Sequence, residues 1–200
     1  MTGLSSLLRG EVHVEDPPIA KFLFTSTKAS WFWLVVRLYV GYAWLAAGLG
    51  KVADPKWGAG DGAALLGYWQ RAVAMPAAPA RPLITYDWYR DFLQGMINAQ
   101  SHTWFAPLVA WGELLIGVGL LVGGLVGFAA FFGALLNMSF MLAGTTSTNP
   151  VLFFLGVGLI LAWKNAGYIG LDRVLLPILG TPWPIKTGAP VTAAAVARSS

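Results

Sequence analysis

Three polar side chains lie inside long apolar stretches of this sequence and are its first candidates for chemistry: Arg37, Glu113 and Asn137. A charge held at the depth of a lipid bilayer costs roughly 3 kcal/mol or more unless it is paired or hydrated, so such residues are functional-site candidates. A carboxyl group can transfer protons, an arginine can pair with an anion, and an asparagine amide both donates and accepts hydrogen bonds. The three types together suit a small polar site between apolar helices.

Each of the three residues belongs to a row of small residues with helical spacing. Small residues mark the faces where helices approach closely, so we expect all three polar groups to point toward neighbouring helices. The rows are Arg37, Gly41, Trp44, Gly48 and Lys51 in the first stretch, Glu113, Gly117, Leu120, Gly124 and Gly127 from the second, and Gly133, Asn137, Met141 and Gly144 in the third.

Depth estimates place these polar groups within reach of one another. At a rise of ~1.5 Å per residue, Arg37 lies roughly 9 Å and Asn137 roughly 18 Å from one edge of the apolar layer, and Glu113 about 15 Å from the other edge. We therefore predict that Arg37 pairs with Glu113, close to Asn137. The alternatives are that Arg37 extends to lipid headgroups beside Trp33, and that Glu113 is a structural lock, protonated or bonded to backbone.

Further candidates lie near the ends of the apolar stretches. Lys51 shares the row of Arg37 and either attracts an anion or only extends to water. Asn149 is a predicted N-cap, with Pro150 at the first helical position. Hydroxyl groups in the turn before it, including that of Ser147, could hold an oxyanion together with the helix N-terminus. His102 could relay protons near neutral pH, although a lone histidine there is more often incidental.

The composition is that of a membrane protein. Hydrophobic residues make up 56% of the 200 residues and charged residues 11%, too little polar surface to cover a soluble globule of this size. The net charge of +4 comes from scattered lysines and arginines, so a nucleic-acid partner is not expected. Cysteine is absent and the two histidines lie far apart, so neither a metal site nor haem ligation is expected within one chain.

The predicted fold class is all-α: a membrane protein with a four-helix transmembrane bundle. Between the first two spans lies an outer loop that is too polar to cross a membrane, and it contains amphipathic helical stretches at about 62–75 and 84–99. The predicted divisions are an N-terminal segment 1–30, spans at about 31–53, 103–122, 125–143 and 150–165 within a bundle 31–173, the outer loop 54–102, and a partly disordered tail 174–200.

The distribution of lysine and arginine predicts the orientation. Seven of these residues lie on the side of the two termini, and five lie on the opposite side: Lys51 near the end of the first span and four in the loop 54–102. Because the side richer in lysine and arginine stays in the cytoplasm, both termini are predicted to be cytoplasmic and the loop extracytoplasmic. The expected location is the inner, cytoplasmic membrane, with the chain crossing it several times.

Four segments resemble the DoxX and DoxD membrane proteins: RLYVGYAWLAAGLGKVADP from Arg37, WGELLIGVGLLVGG from Trp111, STNP from Ser147 and NAGYIGLDR from Asn165. The long insert after the first span is more similar to the DoxD branch. The resemblance implies a four-helix membrane bundle and, for DoxD, a subunit of a thiosulfate:quinone oxidoreductase. It places the family's polar positions at Arg37, Lys51, Glu113, Asn149 and Asp172.

Two functions follow as expectations. In the first, the chain is a membrane subunit of a quinone-linked redox complex, with quinone as the candidate cofactor. Its predicted catalytic residues are Glu113 and Arg37, its cofactor contacts are Asn137, Trp111 and Trp44, and its substrate contacts are Lys51, Asn149 and Ser147. In the second, it is a non-catalytic subunit that packs lipid, quinone or pigment in a larger respiratory or photosynthetic complex. Both imply lipid and other membrane subunits as partners; transport is less favoured.

Overall fold

The computed structural model describes residues 15–57 and 60–181. Every regular element in these ranges is helical, so the all-α class predicted from the sequence is confirmed for this part of the chain. The α-helices are α1 Pro18–Thr25, α2 Ser30–Ala53, α3 Ala63–Val73, α4 Asp87–Asn98, α5 His102–Val122, α6 Val126–Leu142, α7 Asn149–Leu161 and α8 Asp172–Ile178.

Two segments are long and apolar enough to cross a membrane. They are Thr27–Ala53, which is α2 with the 3-10 turn before it, and His102–Val122, which is α5; their mean hydropathies are 1.5 and 2.0. The apolar helices α6 and α7 are shorter, with 17 and 13 residues. At ~1.5 Å per residue these two helices are about 25 Å and 20 Å long.

The helices α2 and α5 pack antiparallel through glycines. Gly48 faces the backbone of Leu114, and Gly117 faces the backbone of Leu45; a Cβ atom at either glycine would overlap that backbone. The absence of side chains there lets the two helix axes come close together. The helix α6 packs on α7 and on α5, and α7 also contacts α2. We call the end where α2 and α6 finish the Lys51 end, and the opposite end the Arg37 end.

The Arg37 end is tied together by hydrogen bonds from loop segments. The indole of Trp33 donates to the carbonyl of Leu23 at 2.7 Å, and the amide of Asn165 donates to the carbonyls of Leu23 and Ser26 at 3.0 and 2.7 Å. The bond from Trp33 holds α1 against α2, and the bonds from Asn165 hold α1 and the turn that follows it against the segment between α7 and α8. The N-terminal segment is thus structured from Pro18, and residues 1–14 lie outside the described part.

The insert between α2 and α5 forms its own apolar core at the Lys51 end. This core contains Leu65, Trp69 and Ala72 of α3, Ile84, Tyr89 and Leu93 of the α4 region, and Ala106 and Ala143 from α5 and the end of α6. The hydroxyl of Tyr89 donates to the carbonyl of Ser139 at 2.9 Å. The insert is therefore packed on the ends of α5 and α6.

The helix bounds differ from those expected at a few places. The fourth apolar stretch was expected to reach about residue 165, but α7 ends at Leu161 and the chain continues in turns. The C-terminal tail was expected from residue 174, but α8 continues to Ile178. The predicted disorder of this tail concerns mostly residues 182–200, which lie outside the described residues.

Gly48→Ala is expected to lower the free energy of unfolding by about 1–3 kcal/mol, because the added methyl group overlaps the backbone of Leu114. Gly50→Ala in the same helix is the matched control, since a Cβ atom there meets nothing within 4 Å. Thermal unfolding of the detergent-purified variants, followed by tryptophan fluorescence, measures the difference. Equal stability of the two variants would contradict the close approach of α2 and α5.

Candidate functional site

A buried ion pair joins α2 to α5 near the Lys51 end. The ammonium of Lys51 lies 2.6 Å from Oε2 of Glu113. The Glu113 side chain is 1% exposed and that of Lys51 22%. Because Gly48 faces Leu114, Lys51 lies about one turn further along α2, nearly level with Glu113. The glycine packing of the two helices therefore fixes which cation meets the carboxylate.

Asn137 of α6 lies on the same cavity as this ion pair and is 1% exposed. Neither its amide nitrogen nor its amide oxygen has a hydrogen-bond partner among the described residues, and the same is true of Oε1 of Glu113. Buried polar atoms are nearly always hydrogen-bonded, because leaving one unsatisfied costs about 1–3 kcal/mol. Three such atoms around one cavity indicate a place for a polar ligand or for ordered water.

The cavity has a volume of about 300 Å³ and combines aromatic walls with a polar rim. This is the lower end of the usual range for small-molecule sites, which begins at roughly 300 Å³. Its lining residues are Ala43, Trp44, Ala47, Lys51, Trp57, Tyr68, Glu113, Asn137, Phe140, Thr145, Ser147, Thr148, Asn149 and Leu152. Six of the eight residues predicted from the sequence therefore line one cavity: Trp44, Lys51, Glu113, Asn137, Ser147 and Asn149.

Contacts with neighbouring side chains position Lys51 and Tyr68 at the rim of the cavity. The Lys51 ammonium lies 5.3 Å from the ring centre of Trp57 and 6.0 Å from that of Phe140. The hydroxyls of Tyr68 and Thr145 are 2.9 Å apart. Burial raises the pKa of the Tyr68 hydroxyl, and the hydrogen bond with Thr145 offsets part of that rise. Tyr68 is therefore a neutral hydrogen-bonding group near neutral pH.

Asn149 reaches the cavity in a different role from the one expected. It was predicted to be the N-cap of the fourth apolar helix, but Thr148 occupies that position and α7 begins at Asn149. The amide of Asn149 donates to the carbonyl of Thr145 at 3.0 Å, so it closes the turn before the helix. Ser147 is exposed in this turn with a φ of +38°.

The predicted pairing of Arg37 with Glu113 is wrong. The close contacts of Gly48 with Leu114 and of Gly117 with Leu45 fix the register of α2 and α5. This register puts Arg37 level with the turn after α5, about 18 Å from the level of Glu113 along the helix axis. Arg37 donates to the carbonyl of Ile169 at 2.7 Å and is 1% exposed. It therefore points inward, as expected, but at the opposite end.

Arg37 belongs to a second buried cluster, together with Asp172. The two carboxylate oxygens of Asp172 accept from the backbone N–H groups of Leu125 and Val126 at 2.6 and 3.0 Å. These are among the N–H groups that the first turn of α6 leaves without helical partners. The charges of Arg37 and Asp172 also attract each other. This cluster joins α2, α6 and α8, although Nε and Nη1 of Arg37 have no hydrogen-bond partner among the described residues. Its bonds to backbone groups of several elements favour a structural role for Arg37.

Trp111 lies outside the cavity. Its side chain is 50% exposed on the outer face of α5, although Trp44, the other predicted ring contact, is 4% exposed and lines the cavity. The sequence reasoning also missed Trp57 and Tyr68, which come from the insert. Their aromatic character was visible, but no spacing rule connects them with Glu113, since the packing of the insert decides which of its rings reach the cavity.

The comparisons with known proteins assign neither a family nor a function to this chain, so a function has to be argued from the site itself. Searches against protein-family models, curated proteins and solved structures find no match for this chain. Within residues 15–57 and 60–181, no three histidine, aspartate or glutamate side chains are grouped in a way that could hold a metal ion.

Lys51→Met is expected to lower the free energy of unfolding by about 3 kcal/mol, because it leaves the Glu113 carboxylate buried without its cation. The double variant Lys51→Met with Glu113→Gln leaves no buried charge and should recover most of that loss. Denaturant unfolding in detergent measures both, and Lys56→Met at an exposed site is the control. Losses that simply add in the double variant would contradict the coupling of the two charges.

Proposed function

We propose that this chain is an integral membrane subunit of the DoxX/DoxD type, which binds a quinone ring in the cavity at Glu113, Lys51 and Asn137. The observation that carries the proposal is that three buried polar atoms without partners lie around a cavity with aromatic walls. The proposed architecture is a four-helix transmembrane bundle of α2, α5, α6 and α7, with the insert on the extracytoplasmic side.

The distribution of polar and apolar residues supports a membrane location. Charged and amide side chains are buried between helices, whereas large apolar side chains are exposed along the helix surfaces. Lipid favours this arrangement, because acyl chains solvate apolar side chains and reject charges. On α5 the exposed row is Trp104, Leu108, Trp111 and Leu115. Trp104, at the start of the helix, suits the headgroup region.

The shorter helices α6 and α7 fit this architecture. Their lengths of about 25 Å and 20 Å are below the usual hydrocarbon thickness of about 30 Å. The polar turn between them, which includes Thr145 and Asn149, would then lie below the membrane surface at the Lys51 end. The insert packs over this end. The polar turn is thus adjacent to protein and to the cavity, which makes irregular backbone at that depth tolerable.

The residues of the cavity fit a quinone head group. Trp44, Trp57 and Phe140 supply flat apolar surfaces for a ring, and Glu113 and Asn137 supply hydrogen-bonding atoms at the buried end. A bound quinone would supply two-electron chemistry. In this proposal Glu113 would hold or release a proton beside the ring oxygen, Lys51 would pair with the carboxylate, and Asn137 would orient the ring.

An accessory role is the second candidate. Cysteine is absent from the whole chain, and the described residues show no group able to hold a metal ion, so electrons would have to reach the cavity from another subunit. The exposed aromatic side chains of α6, Phe128, Phe131 and Phe132, offer an apolar surface to such a subunit or to lipid. In this role the chain would bind quinone within the larger complex without catalysing its reduction or oxidation.

Single cysteines test the proposed topology, because the natural chain has none. Arg71→Cys and Gln94→Cys, on exposed positions of the insert, should react with a membrane-impermeant maleimide outside the inner membrane. Lys28→Cys and Lys164→Cys should react only after permeabilisation. Labelling of all four after denaturation is the control for reactivity. Reaction of Lys28→Cys and Arg71→Cys from the same side would contradict the topology.

Asn137→Leu should weaken binding of a short-chain quinone by about tenfold, because it removes an amide hydrogen bond at nearly constant volume. The quinone is titrated into the detergent-purified chain, and quenching of tryptophan fluorescence reports binding, since Trp44 and Trp57 line the cavity. Asn98→Leu, at an exposed position of α4, is the control. Equal affinity of the wild type and Asn137→Leu would place the quinone elsewhere.

A further inference from the structure

The unpartnered atoms at the buried end of the cavity are mostly hydrogen-bond acceptors. Oε1 of Glu113 and Oδ1 of Asn137 accept, and Nδ2 of Asn137 donates. Rotating the Asn137 amide by half a turn exchanges its two atoms and leaves the same balance of one donor and two acceptors. A complementary ligand must therefore present at least one hydrogen-bond donor to this end.

Lys51, Asn149 and Tyr68 also bring donors to the cavity, and each of these side chains already has a partner. The Lys51 ammonium donates to Oε2 of Glu113 and lies against the rings of Trp57 and Phe140. The Asn149 amide donates to a backbone carbonyl, and the hydroxyl of Tyr68 shares a hydrogen bond with Thr145. None of these groups donates a hydrogen bond to Oε1 of Glu113, which is fully buried beside the ion pair.

We propose that the cavity selects a ring hydroxyl over a ring carbonyl, so that it binds the hydroquinone form of its ligand in preference to the quinone form. A hydroxyl can donate to Oε1 of Glu113 and accept from the amide of Asn137 at the same time. A carbonyl can only accept, and it would leave the carboxylate oxygen buried without a donor. The proposal rests on the proposed function, since it assigns the redox state of the ligand in the same cavity.

The ligand's own chemistry makes this selectivity measurable. A hydroquinone and its quinone have nearly the same shape and the same apolar ring, so the aromatic walls of Trp44 and Trp57 discriminate little between them. The difference in affinity then reports the hydrogen bonds to Glu113 and Asn137. A site built to satisfy a buried polar group rejects analogues that leave it unpaired far more strongly than apolar pockets reject a change of size.

The test uses the purified full-length chain under anaerobic conditions with three probes: a short-chain hydroquinone, its quinone, and the dimethyl ether of the hydroquinone. We expect the hydroquinone to bind about tenfold or more tightly than the quinone, because a hydrogen bond to a charged group is at stake. The ether should bind weakly as well, since it retains the ring oxygens but has no hydroxyl to donate. Fluorescence quenching or calorimetry gives the three affinities.

Glu113→Gln tests the same inference through the protein. The amide oxygen of glutamine can still accept from Lys51, and its NH₂ group then replaces Oε1 as a donor facing the cavity. The preference for hydroquinone should fall about tenfold or turn into a preference for quinone. Asp91→Asn makes the same chemical change at an exposed site and should leave the preference unchanged.

The outcomes separate this inference from the proposed function. If the wild type binds the quinone as tightly as the hydroquinone, the selectivity is wrong while a quinone site remains. If none of the three probes binds, the proposed function fails and this inference fails with it. If Glu113→Gln does not fold, the comparison of the hydroquinone with its quinone and its ether in the wild type decides alone.

Discussion

The buried ion pair between Lys51 and Glu113 is the interaction on which the rest of the site depends. A carboxylate 1% exposed between apolar helices needs a cation within hydrogen-bonding distance, and Lys51 provides it at 2.6 Å. That distance is available only because Gly48 and Gly117 let α2 and α5 approach until their backbones nearly touch. The glycine rows are therefore what gives Glu113 its partner, and the second carboxylate oxygen is left free to face the cavity.

The two ends of the packed helices use their buried charges differently. At the Arg37 end, the guanidinium is enclosed by the turn after α5 and by Gly170, where an added Cβ atom would lie 2.9 Å from Nη1. Both carboxylate oxygens of Asp172 at that end accept hydrogen bonds from backbone N–H groups at the start of α6. At the Lys51 end, by contrast, Glu113 leaves one carboxylate oxygen without a partner beside the cavity. The first cluster therefore fits a structural role, and the second is suited to hold a ligand.

Much of this arrangement could be predicted from the sequence, but the pairing could not. The rows of small residues correctly placed Arg37, Glu113 and Asn137 on buried faces, because helical periodicity determines which side of a helix is apolar and close-packed. The Arg37–Glu113 pairing was wrong because it came from depths measured separately from each face. An error of a few residues in one boundary moves a side chain by several ångströms, and only the register of one helix on another corrects it.

For a related reason, the sequence could not show which residues of the insert reach the cavity. Trp57 and Tyr68 reach the cavity because α3 packs on α5 and the end of α6, and that packing is set by the fit of many apolar side chains together. Asn137 contributes because α6 packs on α5, so that Asn137 and Glu113 line the same cavity. A site assembled from α2, α5, α6 and the insert has no local sequence motif. The best guide to its ligand is therefore the set of groups that line the cavity: one carboxylate oxygen and one amide that face aromatic rings.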